Sequence, residues 1–448
     1  RACLEWMVSQ GWEVWASDDA LTPQLQELAS KYVSQGATVE LGGHSNTITT
    51  NVDIVVVSPG VPTNHPAIVT RKKQGIEVIG EIELAWRFSR GTIVAITGSN
   101  GKSTSTALLG TILQMSQRPS FICGNIGIPF ISVVKDTTNE TIIVLEISSY
   151  QLDTITALRP QIAIFLNLSP DHLDRHLSFE AYTLAKARIF QNQTPNDNLI
   201  YNLADPIVSR IAQQAISCCY PFSITQDGHR FPPFNGIGKI EHSFGASYDG
   251  KNMNFNLPDG RKLSLPREKL LLPGDHNVEN ALSVILAALL LGIDDKTIEK
   301  GLSHFKGLPH RLEEVSFHKG VRWINDSKAT NPDSGRVALN TVPAPVVLLA
   351  GGRSKESNFV SLRNLVAQKV KSLILFGEAA SKIEEDLGDL CPTILCNSLD
   401  EAVEEANHIA QPGDTVLLAP LCASFDAFRD FEERGETFKA LVKRIVTQ

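Results

Sequence analysis

Thr92-Ile93-Val94-Ala95-Ile96-Thr97-Gly98-Ser99-Asn100-Gly101-Lys102-Ser103-Thr104 joins an apolar run to a glycine-rich loop and a hydroxyl-rich helix start in this 448-residue chain. The run at 92–96 has the length and branching of a buried strand, and the residues after Gly101 suit the first turn of a helix. In that setting glycines let the loop backbone turn its N–H groups toward phosphate oxygens. Lys102 adds a mobile positive charge, and the hydroxyl of Ser103 or Thr104 is placed to ligate Mg²⁺. The chain is therefore expected to bind a nucleoside triphosphate through Gly98, Ser99, Asn100, Gly101, Lys102, Ser103 and Thr104. The common pattern G-x-x-x-x-G-K-[ST] requires glycine where this chain has Ile96, so the match is to the shorter form T-G-x-x-G-K-[ST].

Outward from the loop, runs at 142–145 and 162–165 repeat the all-apolar character of 93–96, as strands covered on both faces do. Polar residues gather just beyond their carboxyl ends: the loop, then Glu146, then Asn167 with Asp171 and His172. Open parallel sheets bind ligands at that edge. Upstream, apolar runs at 54–57 and 77–79 alternate with helical patterns at 24–35 and 66–74. Residues 215–272 change character, and a hairpin signal around Pro258-Asp259-Gly260 predicts an antiparallel appendage. A helix is expected at 277–291 with Gly292 as C-cap. After a hinge near 304–308, a third pattern places strands at 321–324, 346–350, 373–376 and 416–419. The fold class is accordingly α/β in three domains. These are a Rossmann-like N-terminal domain (1–89), a central P-loop ATPase-like parallel sheet with a small antiparallel appendage (90–306), and a Rossmann-like C-terminal domain (307–448).

The balance of 41 Lys+Arg against 49 Asp+Glu leaves a net charge of −8, which argues against a nucleic-acid partner. Seven cysteines, with Cys218 and Cys219 adjacent and no C-x-x-C spacing, do not form a disulfide framework, and the start is not signal-like, so a cytoplasmic protein is expected. The longest apolar stretch, 282–291, is broken by Ser283 and falls short of the ~20 residues that cross a bilayer. The chain opens at Arg1 in a helical pattern followed by a strand-like run at 12–16 and Asp18. A dinucleotide-type βαβ unit looks like this once its first strand and glycine-rich turn are removed.

Several residues carry chemistry by position. Glu146 ends a buried strand and is expected at the same sheet edge as Ser103, where it would either hold Mg²⁺ or cap a helix. His172 and His176 are four apart, the spacing of a metal pair on one helix face, although structural hydrogen bonding is the alternative. Lys186 lies on an amphipathic helical pattern and reads, from periodicity alone, as a solvated cation. His310-Arg311 follows the hinge, where an arginine swings onto a transferring phosphate or forms a surface ion pair. Asp326-Ser327-Lys328-Ala329-Thr330-Asn331 and Gly351-Gly352-Arg353-Ser354-Lys355 each trail a strand, as anion-contacting segments do.

Taken in order, these residues resemble the Mur ligase family, ATP-dependent amide-forming enzymes of peptidoglycan precursor synthesis. Its carriers are Thr97-Gly98-x-x-Gly101-Lys102-Ser103-Thr104, Gly124-Asn125-Ile126-Gly127, Leu145-Glu146-Ile147-Ser148-Ser149, Asp171-His172-x-Asp174-Arg175, Lys186, His276-Asn277-x-x-Asn280, His310-Arg311 and Asp326-Ser327-Lys328-Ala329-Thr330-Asn331. The likeness covers nearly the whole chain. Ser58-Pro59-Gly60-Val61 and Cys422-Ala423-Ser424-Phe425-Asp426-x-Phe428-x-x-Phe431-x-x-Arg434-Gly435 resemble the D-glutamate-adding branch, and the Asp-Asn-Pro-Arg motif of diaminopimelate-adding relatives is absent from the last domain.

The resemblance implies a role for each position. ATP lies on the loop at 98–104 with its base near Asn277 and Asn280. Ser103 and Glu146 hold one Mg²⁺, and His172 with a carbamylated Lys186 holds a second. Arg311, Asp326 and Lys328 contact the nucleotide, and Lys102 and Arg311 offset charge during phosphoryl transfer. Asp18, Asp19, Ser58, Pro59 and Gly60 contact the uridine side of UDP-N-acetylmuramoyl-L-alanine, whose carboxylate Asn125 steadies with His172 nearby. Thr330, Lys355, Ser424, Phe425 and Phe431 frame D-glutamate. A monomer is expected, with no membrane insertion. The family's first strand and phosphate-cradling turn do not precede Ala2, so weakened uridine-side binding with intact ATP binding is expected, from loss of an upstream piece. The alternatives are a ligase adding another amino acid, folate polyglutamylation, a P-loop kinase, or a nucleotide-binding protein without turnover.

Overall fold

The computed structural model describes residues 1–44, 51–170, 173–176, 178–224, 244–353 and 358–447. Near the start, β1 (Trp15–Asp18) pairs in parallel with β2 (Thr38–Leu41), and β3 (Ile54–Val57) with β4 (Glu77–Gly80). The expected strand at 12–16 thus begins three residues later, at Trp15. The helix Pro23–Val33 between β1 and β2 is opened by Thr22, whose hydroxyl accepts from Leu25 N, and by proline in its first turn.

Among the described residues the central sheet has nine strands: β5 (Thr92–Thr97), β6 (Ser120–Gly124), β7 (Ile142–Glu146), β8 (Ile162–Phe165), β9 (Asn198–Asn202), β10 (Cys218–Ile224), β11 (Gly245–Tyr248), β12 (Asn252–Asn256) and β13 (Lys262–Pro266). Their order is β13-β12-β11-β10-β9-β8-β5-β7-β6. The phosphate-loop strand β5 lies between β7 and β8, fully paired on both sides. Its apolar residues, like those of β7 and β8, are buried on both faces, as expected of inner parallel strands.

The region at 215–272 differs from the expected appendage. The hairpin of β12 and β13 is present, but β10 pairs in parallel with β9 and β11 in parallel with β10, so the hairpin continues the main sheet. The reason is the apolar run Tyr220-Pro221-Phe222, which is buried beside β9 and commits its strand to the central core. The helix Asp275–Leu290 ends at Gly292 (φ 75°), with Ile293 N bonded to Ala288 O and Gly292 N to Leu289 O, the paired bonds of a left-handed C-cap.

The chain divides into two compact units, Arg1–Leu271 with Asn277–Phe305, and Leu272–His276 with Lys306–Gln448. The first 88 residues share the first unit because the helix Glu81–Phe88 buries Ile82, Leu84 and Ala85 in the core under the central sheet. Its Glu83, 0% exposed, accepts from the backbone N–H groups of Thr156, Ala157 and Leu158, so a segment from each region is locked to the other by charge-assisted bonds.

The second unit holds a six-stranded sheet of β14 (Glu313–His318), β15 (Val321–Asn325), β16 (Val346–Gly351), β17 (Val370–Phe376), β18 (Thr393–Leu395) and β19 (Thr415–Leu421). The order is β14-β15-β19-β16-β17-β18, and only the β14–β15 pair is antiparallel. Apolar side chains pack on both faces, so the ligand-accessible part of this sheet is again its carboxyl edge. Among the described residues no helix is long and apolar enough to cross a membrane.

Candidate active site

In the first unit the loop after β5 is shaped by its glycines. Gly98 (φ 156°) leaves no room for a Cβ, which would meet Leu166 Cβ at 3.0 Å, and at Gly101 (φ 85°) a Cβ would meet Asn280 Oδ1 at 2.3 Å. Gly101 is the N-cap of the helix Lys102–Met115, whose first turn holds the buried Ser103 and Thr104. Asn167, just past β8, braces the loop from below: its Oδ1 accepts from Asn100 N at 2.8 Å and its Nδ2 donates to Asn100 O at 3.1 Å. Ser99 Oγ donates to Ser169 O and lies 3.0 Å from the Tyr182 hydroxyl. Lys102 Nζ folds back onto Gly98 O (2.8 Å) and Ser99 O (2.9 Å).

Lys186 is not the solvated cation that periodicity implies. It is 1% exposed, its Nζ donates to Gly98 O at 2.8 Å, and it lies 4.8 Å from the centre of the Tyr182 ring. The helix Phe179–Ala187 turns Tyr182, Ala185 and Lys186 to one buried face, so the lysine sits in the apolar stripe rather than opposite it. The sequence signal for that placement is the spacing of Tyr182 and Lys186, one helical turn apart on the same face.

Glu146 closes β7 in register with Ile96 of β5, next to the loop. It is 1% exposed, its Oε1 accepts from Asn125 Nδ2 at 2.8 Å, and among the described residues its Oε2 is buried without a hydrogen-bond partner. A buried carboxylate oxygen lacking a donor is costly unless a cation meets it. A carboxylate oxygen and a hydroxyl, the donors that Glu146 and Ser103 offer, are of the kind that suits Mg²⁺. An unmodified Lys186 ammonium does not suit a cation site.

Asn277 and Asn280, expected near the base, are both buried and bonded to each other (3.3 Å), and Asn280 packs on Gly101. His172 lies outside the described residues, so its pairing with His176 is not described. His176 itself is bound to Ser149 Oγ at 3.0 Å and flanked by the rings of Tyr150 and Tyr182, a structural setting.

Of the residues expected to contact uridine, Asp18 Oδ1 accepts from Ala20 N, and Asp19 pairs with His44 Nε2 at 3.0 Å. The carbonyls of Gly60 (3.0 Å) and Val61 (2.6 Å) accept from Arg175, whose guanidinium also lies 5.2 Å from the Tyr150 ring centre. Arg175 therefore ties the Ser58-Pro59-Gly60 turn to the region beside the phosphate loop. Asn167 was expected at this sheet edge, whereas Arg175 and Tyr182 carried no expected role at the site.

In the second unit, Asp326 follows β15, is 8% exposed, and accepts weakly from Leu312 N at 3.3 Å. Burial pushes its carboxyl up to about 7, against the lowering pull of Arg311. His310 is buried beside Asn325 Nδ2 (2.9 Å), its backbone at φ 62°, and burial lowers its imidazole pKa. Lys328 Nζ lies 3.6 Å from the ring centre of Phe431, which begins the helix Phe431–Val446. The structure thus brings together Asp326, Lys328 and Phe431, with Ser424 buried and Phe425 57% exposed. Thr330 donates its N–H to Lys328 O at 2.8 Å, within the same turn. Lys355 lies outside the described residues.

Three family models match the chain: the Mur ligase MurD-like N-terminal domain over residues 1–80, the Mur ligase middle domain over 96–288, and the Mur ligase glutamate ligase domain over 310–422. The chain is 42% identical to the UDP-N-acetylmuramoylalanine–D-glutamate ligase of Acidobacterium capsulatum, covering 97% of this chain and 91% of that protein. It is 40% identical to the ligase of the same name from Koribacter versatilis, covering 100% and 95%. Among solved structures it resembles the MurF ligase of Thermotoga maritima in complex with ADP (TM-score 0.61, 18% identity, 96% and 98% covered). It also resembles the UDP-N-acetylmuramate-alanine ligase MurC of the same organism (TM-score 0.59, 19% identity, 100% and 96% covered). These two share the three-domain α/β fold.

Proposed function

The chain belongs to the Mur ligase family, and from that premise we propose that it joins D-glutamate to UDP-N-acetylmuramoyl-L-alanine at the expense of ATP in peptidoglycan precursor synthesis. The observation that carries the chemistry is the buried, partnerless oxygen of Glu146 in register with the strand that ends in the phosphate loop.

In this reading the γ-phosphorus–oxygen bond of ATP breaks and a new bond forms to the substrate's alanyl carboxylate, giving an acyl phosphate. The amine of D-glutamate attacks its carbonyl carbon, the C–O bond to phosphate breaks, and the amine gives up a proton. Lys102 exchanges its two loop carbonyls for phosphate oxygens, and loop N–H groups take the rest of the charge. Mg²⁺, held by Ser103 and Glu146, would offset the repulsion between the carboxylate and the γ-phosphate. Asn125, already fixed by Glu146, orients the carboxylate. Lys186 fits a second cation only as a carbamate, formed when its neutral amine adds to CO₂ and releases a proton. His172 would share that cation.

Asn277 and Asn280 line the base, and Arg311, Asp326 and Lys328 serve the nucleotide. Asp18, Asp19 and the Ser58-Pro59-Gly60 turn serve the uridine side. Thr330, Lys355, Ser424, Phe425 and Phe431 serve the acceptor, whose two carboxylates call for a cation and hydroxyl donors. We assign the domains to 1–89, 90–306 and 307–448, and the reaction to a monomer in the cytoplasm. The test is ADP release with ATP, Mg²⁺ and UDP-N-acetylmuramoyl-L-alanine, comparing D-glutamate with L-glutamate, meso-diaminopimelate and L-alanine. Turnover with D-glutamate alone is expected, and turnover preferring another acceptor overturns the assignment.

A further inference from the structure

Arg434 sits in the first turn of the helix Phe431–Val446 and is 0% exposed, yet among the described residues it has no ion-pairing carboxylate. A lone buried cation costs several kcal/mol unless its donors are met and its charge is used. Its donors are met. Nε donates to Ser327 Oγ at 3.0 Å, one terminal nitrogen to Ser327 O (2.9 Å) and Cys422 O (3.1 Å), and the other to Ala423 O (3.3 Å) and Gly351 O (3.5 Å). All five acceptors lie at the carboxyl ends of β15, β19 and β16, three neighbours in the sheet.

Two of the residues that accept from it, Ser327 and Ala423, adjoin residues of the proposed site. Ser327 separates Asp326 from Lys328, and its hydroxyl donates onward to Phe431 O at 2.8 Å. Ala423 precedes Ser424. Gly352 (φ 125°) is held so close that a Cβ would meet Ala423 O at 2.2 Å and an Arg434 nitrogen at 3.0 Å. Burial lowers the guanidinium pKa only to about 10, so the charge persists at neutral pH.

We propose that Arg434 is a positioning residue for the acceptor amino acid: its planar fork sets the spacing of Ser424 and Phe431, and its unpaired charge biases that edge toward a dicarboxylate. The inference rests on the ligase reading above. No lysine reproduces the fork, because an ammonium is a point donor that cannot span three strand ends.

The test uses the full chain with Arg434→Lys, Arg434→Gln and the milder Ser327→Ala, which leaves the charge and removes one acceptor. The KM for D-glutamate is expected to rise about tenfold in Arg434→Lys and more in Arg434→Gln, with KM for ATP held within about twofold. Ser327→Ala is expected to raise the D-glutamate KM about threefold and is decisive if the arginine variants do not fold. An unchanged D-glutamate KM in folded variants, or equal rises for both substrates, overturns the positioning role while leaving the ligase reading intact. Absence of D-glutamate-dependent turnover in the unsubstituted protein overturns that reading and this inference together.

Discussion

Lys102 and Lys186 donate to the same oxygen, the carbonyl of Gly98, each at 2.8 Å. Two cations sharing one acceptor in a largely buried setting repel each other, and the arrangement is relieved when one leaves or loses its charge. Lys102 opens the helix that follows the loop, from where it would reach a bound phosphate, whereas Lys186 is packed against the Tyr182 ring. The pair therefore assigns different fates to two chemically identical side chains.

Lys186→Ala is expected to lower D-glutamate-dependent ADP release by at least about 100-fold, the scale of losing a group in contact with the reacting charges. If the proposed carbamate is the active form, bicarbonate or short carboxylates restore part of the rate. Full activity in Lys186→Ala, measured at saturating Mg²⁺, rules the role out.

Glu146→Gln keeps the shape of the side chain and leaves an oxygen to accept from Asn125, while removing the buried charge. The fold is expected to be at least as stable, because a partnerless buried carboxylate oxygen no longer has to be desolvated. The Mg²⁺ concentration for half-maximal activity is expected to rise at least about tenfold, since the carboxylate is the only charged ligand proposed at that site. A Mg²⁺ titration of the two proteins, with thermal melting alongside, checks both halves; an unshifted titration removes Glu146 from the metal site.

Arg175 reaches the carbonyls of Gly60 and Val61 from the short helix Leu173–His176, so its loss frees the turn proposed for the uridine side. Arg175→Ala is expected to raise KM for UDP-N-acetylmuramoyl-L-alanine about tenfold, the value of one or two charge-assisted bonds, with little change in KM for ATP. Equal effects on both substrates would instead mark it as general scaffolding.

Asp326 holds its proton up to about pH 7 in the folded protein because burial penalises the carboxylate. Its ordinary value lies near 4, so the folded state binds the proton more tightly than the unfolded chain does. The stability this group contributes is full below about pH 4 and is lost as pH rises to 7, at no more than about 1.4 kcal/mol per pH unit. Asp326→Asn should flatten that slope, and Arg311→Ala should move the midpoint higher by removing the opposing charge. Carbon-13 NMR of the Asp326 carboxyl gives the midpoint directly; titration near 4 refutes the account.

What the sequence by itself determined is local. The phosphate loop, the strands around it, the C-cap at Gly292 and the hairpin of β12 and β13 follow from glycine conformations, apolar runs and turn chemistry within a few residues of one another. Glu146 was legible for the same reason, since the end of an all-apolar strand is a fixed place in a parallel sheet. The tertiary structure alone decided what each of these meets. Periodicity puts Lys186 on a helix face but not under Gly98, 88 positions away in the chain. It leaves the run at 218–224 free to join either an appendage or the main sheet, and pairing with β9 settles it. Arg434 reads as one more polar residue at a helix start until three strand ends from across the second unit converge on its guanidinium. Burial and partnership are properties of the whole packed chain, because they depend on which distant backbone arrives, and that is set by the summed packing of the core rather than by any local pattern.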